Sequence, residues 1–288
     1  MQTGRQIGVC SWSLEARSPA ELIERVRAAG LSACQLALDP LAAGAWSLTD
    51  LRRRLETAGV RLLSGMLGCV GEDYTSLHTI RLTGGVRPDR HWPANLERAQ
   101  AVARLAQELG LPLVTFHAGF LPHRATDDPQ TQAERRVLLA RLRQLADVFA
   151  ACRVDLAFET GQESAHTLLE VLEDLERPRV GINFDPANML LYDMGDPVAA
   201  LELLAPRVRQ VHIKDARRTE VPGTWGQEVP VGSGQVRWGE FFDVLFRRGL
   251  AVDLVIEREA GNQRIADVRQ AHALVQSELA RRVPGASR

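Results

Sequence analysis

The chain of 288 residues is 45% hydrophobic, enough to bury one large core, and its length is close to the roughly 250 residues of a (β/α)8 barrel. With 35 basic and 36 acidic residues the formal net charge is -1, so no global field draws a polyanion, which argues against nucleic acid as a partner. There is no run of about 18 apolar residues and no apolar leader, so the expectation is a soluble, cytoplasmic protein with no membrane partner.

Short apolar runs at 7–11, 33–37, 61–65, 113–117, 155–159, 180–184, 208–213 and 252–257 alternate with helical patterns, and that alternation predicts parallel βαβ units. After the first run, Ser18-Pro19-Ala20-Glu21 supplies an N-cap serine, a proline in the first turn and a glutamate three residues after the cap. Gly30 then closes the stripe of Leu22, Val26 and Ala29. Further helical patterns cover 48–59, 95–110, 132–151, 196–204, 238–249 and 265–282. Eight strands spread over the whole chain predict an α/β fold, a single-domain (β/α)8 TIM barrel over 1–288, with 283–288 expected to be a disordered tail. Two long connections, 69–92 and 216–236, follow the third and seventh strands and are expected to wall the site, because loops after strands lie on the catalytic face of such a barrel. Cys10, Cys34, Cys69 and Cys152 form no C-x-x-C pair and read as free thiols in a reducing compartment.

The polar residues at the strand ends carry the chemistry. Glu159 ends the fifth strand, Asp185 follows the sixth, His212 lies near the end of the seventh and Glu257 ends the eighth. Consecutive strands of a barrel are neighbours, so three carboxylates and an imidazole converge on one point of the rim. Without a cation those carboxylates would repel one another and some would protonate. One divalent ion resolves the repulsion: the donor set suits Mn²⁺ first, and Mg²⁺, Co²⁺ or Zn²⁺ also. A strand-end carboxylate alone is more often a helix cap; the weight lies in four successive strands sharing the feature.

Five segments carry a family resemblance: Thr115-Phe116-His117-Ala118-Gly119, Phe158-Glu159-Thr160-Gly161-Gln162-Glu163, Asn183-Phe184-Asp185-Pro186-Ala187-Asn188, Val211-His212-Ile213-Lys214-Asp215 and Ile256-Glu257-Arg258-Glu259. They resemble the xylose-isomerase-like TIM-barrel superfamily and, within it, the sugar phosphate isomerase/epimerase group, from about residue 7 to 265. The resemblance to its ketose 3-epimerases implies that Glu159, Asp185, His212 and Glu257 bind the metal. It also implies that Glu159 and Glu257 act as acid and base on a small sugar through an enediolate. Two positions depart from that pattern. Asn188 stands where a substrate-binding histidine is usual, and Ala165 stands where a second glutamate is usual. Arg218 does match a substrate-contacting arginine.

Further substrate contacts are expected from His117 at the end of the fourth strand, from Lys214 and from Trp225. Lys214 is the only lysine in the chain and alternates with His212; the face of Trp225 suits the C–H side of a sugar ring. Gly232 and Gly234 read equally as a phosphate cradle or as a turn. Glu72, Asp73 and Tyr74, after the third strand, have a reading in which they close over the substrate and a simpler one as solvated loop residues, and Asp215 reads as the cap of the loop that follows it. The expected activity is therefore a metal-dependent sugar, keto-sugar or sugar phosphate isomerase or epimerase. The alternative is a dehydratase of a keto-polyol such as an inosose or a 3-keto sugar, and an oligomer of identical chains is compatible with either. The nuclease branch of the superfamily fits poorly, since the extra histidines it uses are missing.

Overall fold

The alternating pattern closes into a barrel because each apolar strand can be covered on its outer side only by the stripe of a neighbouring helix. A computed structural model describes residues 5–282; the predicted tail at 283–288 lies outside the described residues. Among these, the barrel strands are β1 (Ile7–Cys10), β2 (Ala33–Ala37), β3 (Arg61–Met66), β4 (Leu113–Phe116), β5 (Asp155–Glu159), β6 (Val180–Phe184), β7 (Val208–Ile213) and β10 (Asp253–Ile256). They pair in parallel in the closed order β1-β10-β7-β6-β5-β4-β3-β2. Two short strands, β8 (Asp215–Arg217) and β9 (Gln227–Val229), form a separate antiparallel ribbon inside the connection at 216–236.

The helices are α1 (Pro19–Ala28), α2 (Asp39–Ala42), α3 (Leu48–Ala58), α4 (Leu77–Thr83), α5 (Trp92–Leu109), α6 (Pro129–Ala151), α7 (Ala165–Leu175), α8 (Pro186–Leu191), α9 (Pro197–Leu204), α10 (Trp238–Arg247) and α11 (Arg264–Ala280). Their starts are chemically specified. The Ser18, Ser47, Ser76 and Ser164 hydroxyls each accept the third backbone N–H of the following helix, and Asp128, Asp185 and Asp196 cap α6, α8 and α9. Each such cap is worth about 1 kcal/mol. The helix α7 was not expected from the sequence; its Leu168, Val171, Leu172 and Leu175 stripe is buried against the barrel. The connection at 69–92 likewise contains α4 instead of open loop.

Large side chains fill the space between strands and helices: Phe116, Phe149, Phe158, Phe184, Phe241 and Phe242 are fully buried, with Phe116 edge-on to Phe158 at 5.4 Å. The barrel interior is different. Gln35, Ser64, Thr115, Asn183 and Gln210 are all 0 or 1% exposed. They form a hydrogen-bonded polar layer beneath the strand ends. Register puts Glu159 beside Asn183 and His212 beside Val255, so the chemistry-bearing residues sit directly above that layer. No helix among the described residues is long and apolar enough to cross a membrane.

Candidate metal centre

Asp185 is placed by local backbone chemistry. Its carboxylate caps α8, Oδ1 accepting from the N–H groups of Ala187 at 2.8 Å and Asn188 at 3.0 Å. Pro186 has no N–H to offer and its fixed φ suits the first helical position. Oδ1 is thereby engaged, while Oδ2 is buried with no hydrogen-bond partner.

His212 is oriented from below. Its Nε2 donates to Gln35 Oε1 at 2.7 Å, because that amide directs its NH₂ to Thr115 Oγ1 and the Gly65 carbonyl. The other ring nitrogen, Nδ1, is buried without a partner and faces three carboxylates: Glu257 Oε2 at 3.2 Å, Glu159 Oε1 at 3.4 Å and Asp185 Oδ2 at 3.7 Å.

The two glutamates are held from opposite walls. Glu159 Oε2 accepts from Asn183 Nδ2 at 3.1 Å and Oε1 from Asn188 Nδ2 at 3.0 Å. Glu257 Oε1 accepts from Trp12 Nε1 at 2.7 Å, leaving Oε2 buried and unbonded beside Lys214 Nζ at 3.0 Å. Lys214 in turn reaches Glu259 at 2.5 Å. Burial alone would raise every one of these carboxyls. It pushes Asp185 up to about 7 against the pull of Lys214. At Glu257 the Lys214 and His212 charges outweigh burial and hold the carboxyl well below the usual range. At Glu159 burial is likewise overcome, by His212 and His117.

One atom from each of Glu159, Asp185, His212 and Glu257 lies within 4.8 Å of the others. Three of the four residues contribute an atom that is buried and otherwise orphaned, an arrangement that is costly unless a cation completes it. The donor set of three carboxylates and one imidazole fits a divalent ion, and the Gln35 bond to the far ring nitrogen is the usual outer support of a ligating histidine. A dication held there would offset two of the three carboxylate charges, and Lys214 is shared between Glu257 and Glu259.

Above this point opens a cavity of about 590 Å³ lined by strand-end and loop residues. His117, Asn188, Lys214 and Trp225, all singled out from the sequence, line it. His117 Nε2 is 3.8 Å from Glu159 Oε1. Asn188 directs its amide N–H groups to Glu159 and to the Thr160 carbonyl, so it steadies the glutamate as well as facing the cavity. Arg218 stands apart. It is not among the cavity-lining residues; it pairs with Asp193 and donates to the Gly195 carbonyl.

Glu72 and Tyr74 line the cavity, in keeping with the reading in which they close over the substrate and against the simpler solvated-loop one, and so do Tyr192, Leu191 and Met66, to which the sequence assigns no role. Tyr192 lies one turn after Asn188, a helical spacing that is a legible signal once α8 is recognised. The glycine loop is a turn and no phosphate cradle. The N–H groups of Gly232 and Gly234 donate to Asp215 Oδ2 at 2.9 and 3.2 Å, and a Cβ on Gly234 would lie 2.1 Å from Asp215 Oδ1.

Residues 23–278 match the family described as xylose isomerase-like TIM barrel. Among solved structures, a xylose isomerase domain protein from Planctomyces limnophilus is 29% identical with a TM-score of 0.83, over 96% of this chain and 97% of that one. An L-ribulose 3-epimerase is 19% identical with a TM-score of 0.72, over 96 and 95%. A probable 3-DHS dehydratase, AsbF from Bacillus anthracis, is 16% identical with a TM-score of 0.70, over 94 and 98%. At such identities the last two likenesses concern the fold alone. The uncharacterised Escherichia coli protein YihM is 33% identical over 106 residues, a match spanning 32% of each chain.

Proposed function

The chain belongs to the xylose isomerase-like TIM-barrel family, and on that premise we propose that it is a divalent-metal-dependent isomerase or epimerase of an unphosphorylated keto-sugar. The observation that carries this reading is the set of orphaned atoms, Asp185 Oδ2, His212 Nδ1 and Glu257 Oε2, converging beneath a sugar-sized cavity. Glu159, Asp185, His212 and Glu257 hold the ion. Bound there, it supplies Lewis acidity to a substrate carbonyl and so acidifies the adjacent C–H.

The protein's own groups do the rest. Glu159 and Glu257 remove and return the proton, and local contacts favour the ionised form that abstracts it. Trp12 and Lys214 favour the charged form of Glu257, and Asn183 and Asn188 that of Glu159. For epimerisation the ionised glutamate takes the proton from one face while the other, protonated beforehand from solvent, delivers its own proton to the opposite face; delivery by the same glutamate to the neighbouring carbon gives isomerisation. Trp12, Tyr74 and Trp225 offer aromatic surface to the C–H faces of a sugar and displace water from the reacting carbon.

The cavity also argues against a phosphate. Lys214 is engaged by Glu257 and Glu259, Arg258 by Glu228 and Asp267, Arg218 by Asp193, and the glycine N–H groups by Asp215. Each of these cations thus already has a carboxylate partner.

The test is proton exchange in D₂O with Mn²⁺-loaded protein and a panel of free ketoses, followed by NMR. Deuterium entering the carbon next to the carbonyl without loss of water is expected, and Glu159→Gln and Glu257→Gln should each slow it by about 10² to 10⁴. Loss of water would assign the dehydratase reaction instead, and absence of both exchange and metal binding would end the proposal.

A further inference from the structure

A second chamber of about 410 Å³ adjoins the cavity of the metal centre, and Tyr192 is a wall of both. Taking the proposed keto-sugar chemistry as given, we propose that this chamber is a subsite for a second ring, so that the substrate is a glycoside or disaccharide carrying its ketone in the inner ring. Each chamber alone is in the range of a complete small-molecule site, more than one ring requires in total.

The outer chamber is built for a hydroxylated ring. Gln162 lines it, is only 9% exposed, and its carboxamide has no hydrogen-bond partner among the described residues. The amide is thus free to donate to and accept from a ligand hydroxyl in the chamber. Asp193 also lines the chamber, at the left-handed position that ends α8, where the Met194 and Asp193 N–H groups donate to the Met189 and Leu190 carbonyls. Its carboxylate pairs with Arg218, which also donates to the Gly195 carbonyl. Tyr192, set edge-on to Trp225 at 4.7 Å, is the apolar wall common to both chambers. A two-ring sugar matches this pairing of an apolar wall for its C–H faces with an amide for its hydroxyls.

The experiment compares D-fructose with lactulose and isomaltulose, two disaccharides that carry the same reducing ketose, by deuterium exchange into Mn²⁺-loaded protein. kcat/KM for at least one disaccharide is expected to exceed that for D-fructose by about tenfold or more, the size of one well-made contact. Gln162→Leu removes the amide hydrogen bonds and Leu77→Trp fills the outer chamber from α4; each should bring the ratio of disaccharide to monosaccharide efficiency back towards one. Exchange with fructose but not with the disaccharides, or a ratio that neither variant moves, overturns the outer subsite and leaves the proposed chemistry standing. Exchange with none of the three overturns both.

Discussion

The Nε2–H of His212 is bonded across the barrel interior to Gln35 Oε1 at 2.7 Å, and this bond decides which nitrogen the imidazole presents to the carboxylates. Gln35 is itself locked by Thr115 and Gln210. Replacing it with leucine keeps the volume but leaves Asn183 Nδ2, at 3.0 Å, as the polar neighbour of Nε2, a donor that favours the tautomer with its proton on Nδ1, where it blocks metal binding. Gln35→Leu is therefore expected to weaken metal affinity by about 10- to 100-fold, the usual effect of losing such a partner, as measured by chelator competition. An unchanged affinity would mean that the polar layer supports the barrel and not the ligand.

Metal removal should be legible as lost stability, since an ion that binds only the folded chain adds to its free energy of unfolding. At a concentration about 100 times its dissociation constant the gain is about 2.7 kcal/mol. In a domain of this size that raises Tm by about 4 to 5 °C. Calorimetry of chelated protein with and without added Mn²⁺ measures it. Asp185→Asn, which keeps an Oδ acceptor for the α8 cap and removes the ligating charge, should lose most of the metal-dependent rise; an equal rise in the variant would count against the quartet.

Asp215 gathers five donors: the N–H groups of Ala216, Gly232, Gly234 and Val236 and the indole of Trp238. It is 1% exposed. Asp215→Ala strands several of those donors where water reaches poorly, at a cost on the order of 3 to 5 kcal/mol by urea unfolding. The ribbon β8–β9 hangs on the same loop and carries Glu228, so the variant should also raise KM. A loss below about 1 kcal/mol would show that the loop finds other acceptors.

Much of this fold is legible in the residues, and what is not has a physical reason. Each of the eight barrel strands begins and ends within one residue of its expected bounds, because short apolar runs between capped helices have few alternative readings. The quartet is legible for a similar reason: charged residues at four successive strand ends are conspicuous. The polar layer is not. A single Gln35 or Gln210 in an apolar strand looks like an outward-facing residue, and only the closed register shows that they point at one another. The family resemblance implies a substrate contact for Arg218, yet in the ribbon at 215–229, where the sequence suggests open loop, Arg218 pairs with Asp193.

The last expectation concerns Glu163, which lies in the strand-five motif but at a spacing the family pattern does not use. It is 7% exposed, and burial pushes its carboxyl up to about 8, only partly offset by His117. A carboxyl that holds its proton more tightly when folded stabilises the fold fully below its unfolded value, near 4.5, and that contribution is lost as pH rises through 8. Glu163→Gln is neutral at every pH and carries no such loss. The variant should thus match the parent near pH 4.5 and become progressively more stable than it up to pH 8, by at most about 1.4 kcal/mol for each pH unit. Urea unfolding of both proteins at several pH values across that window measures the difference. A difference that stayed constant would mean that Glu163 is ionised in the folded chain through contacts with groups other than His117.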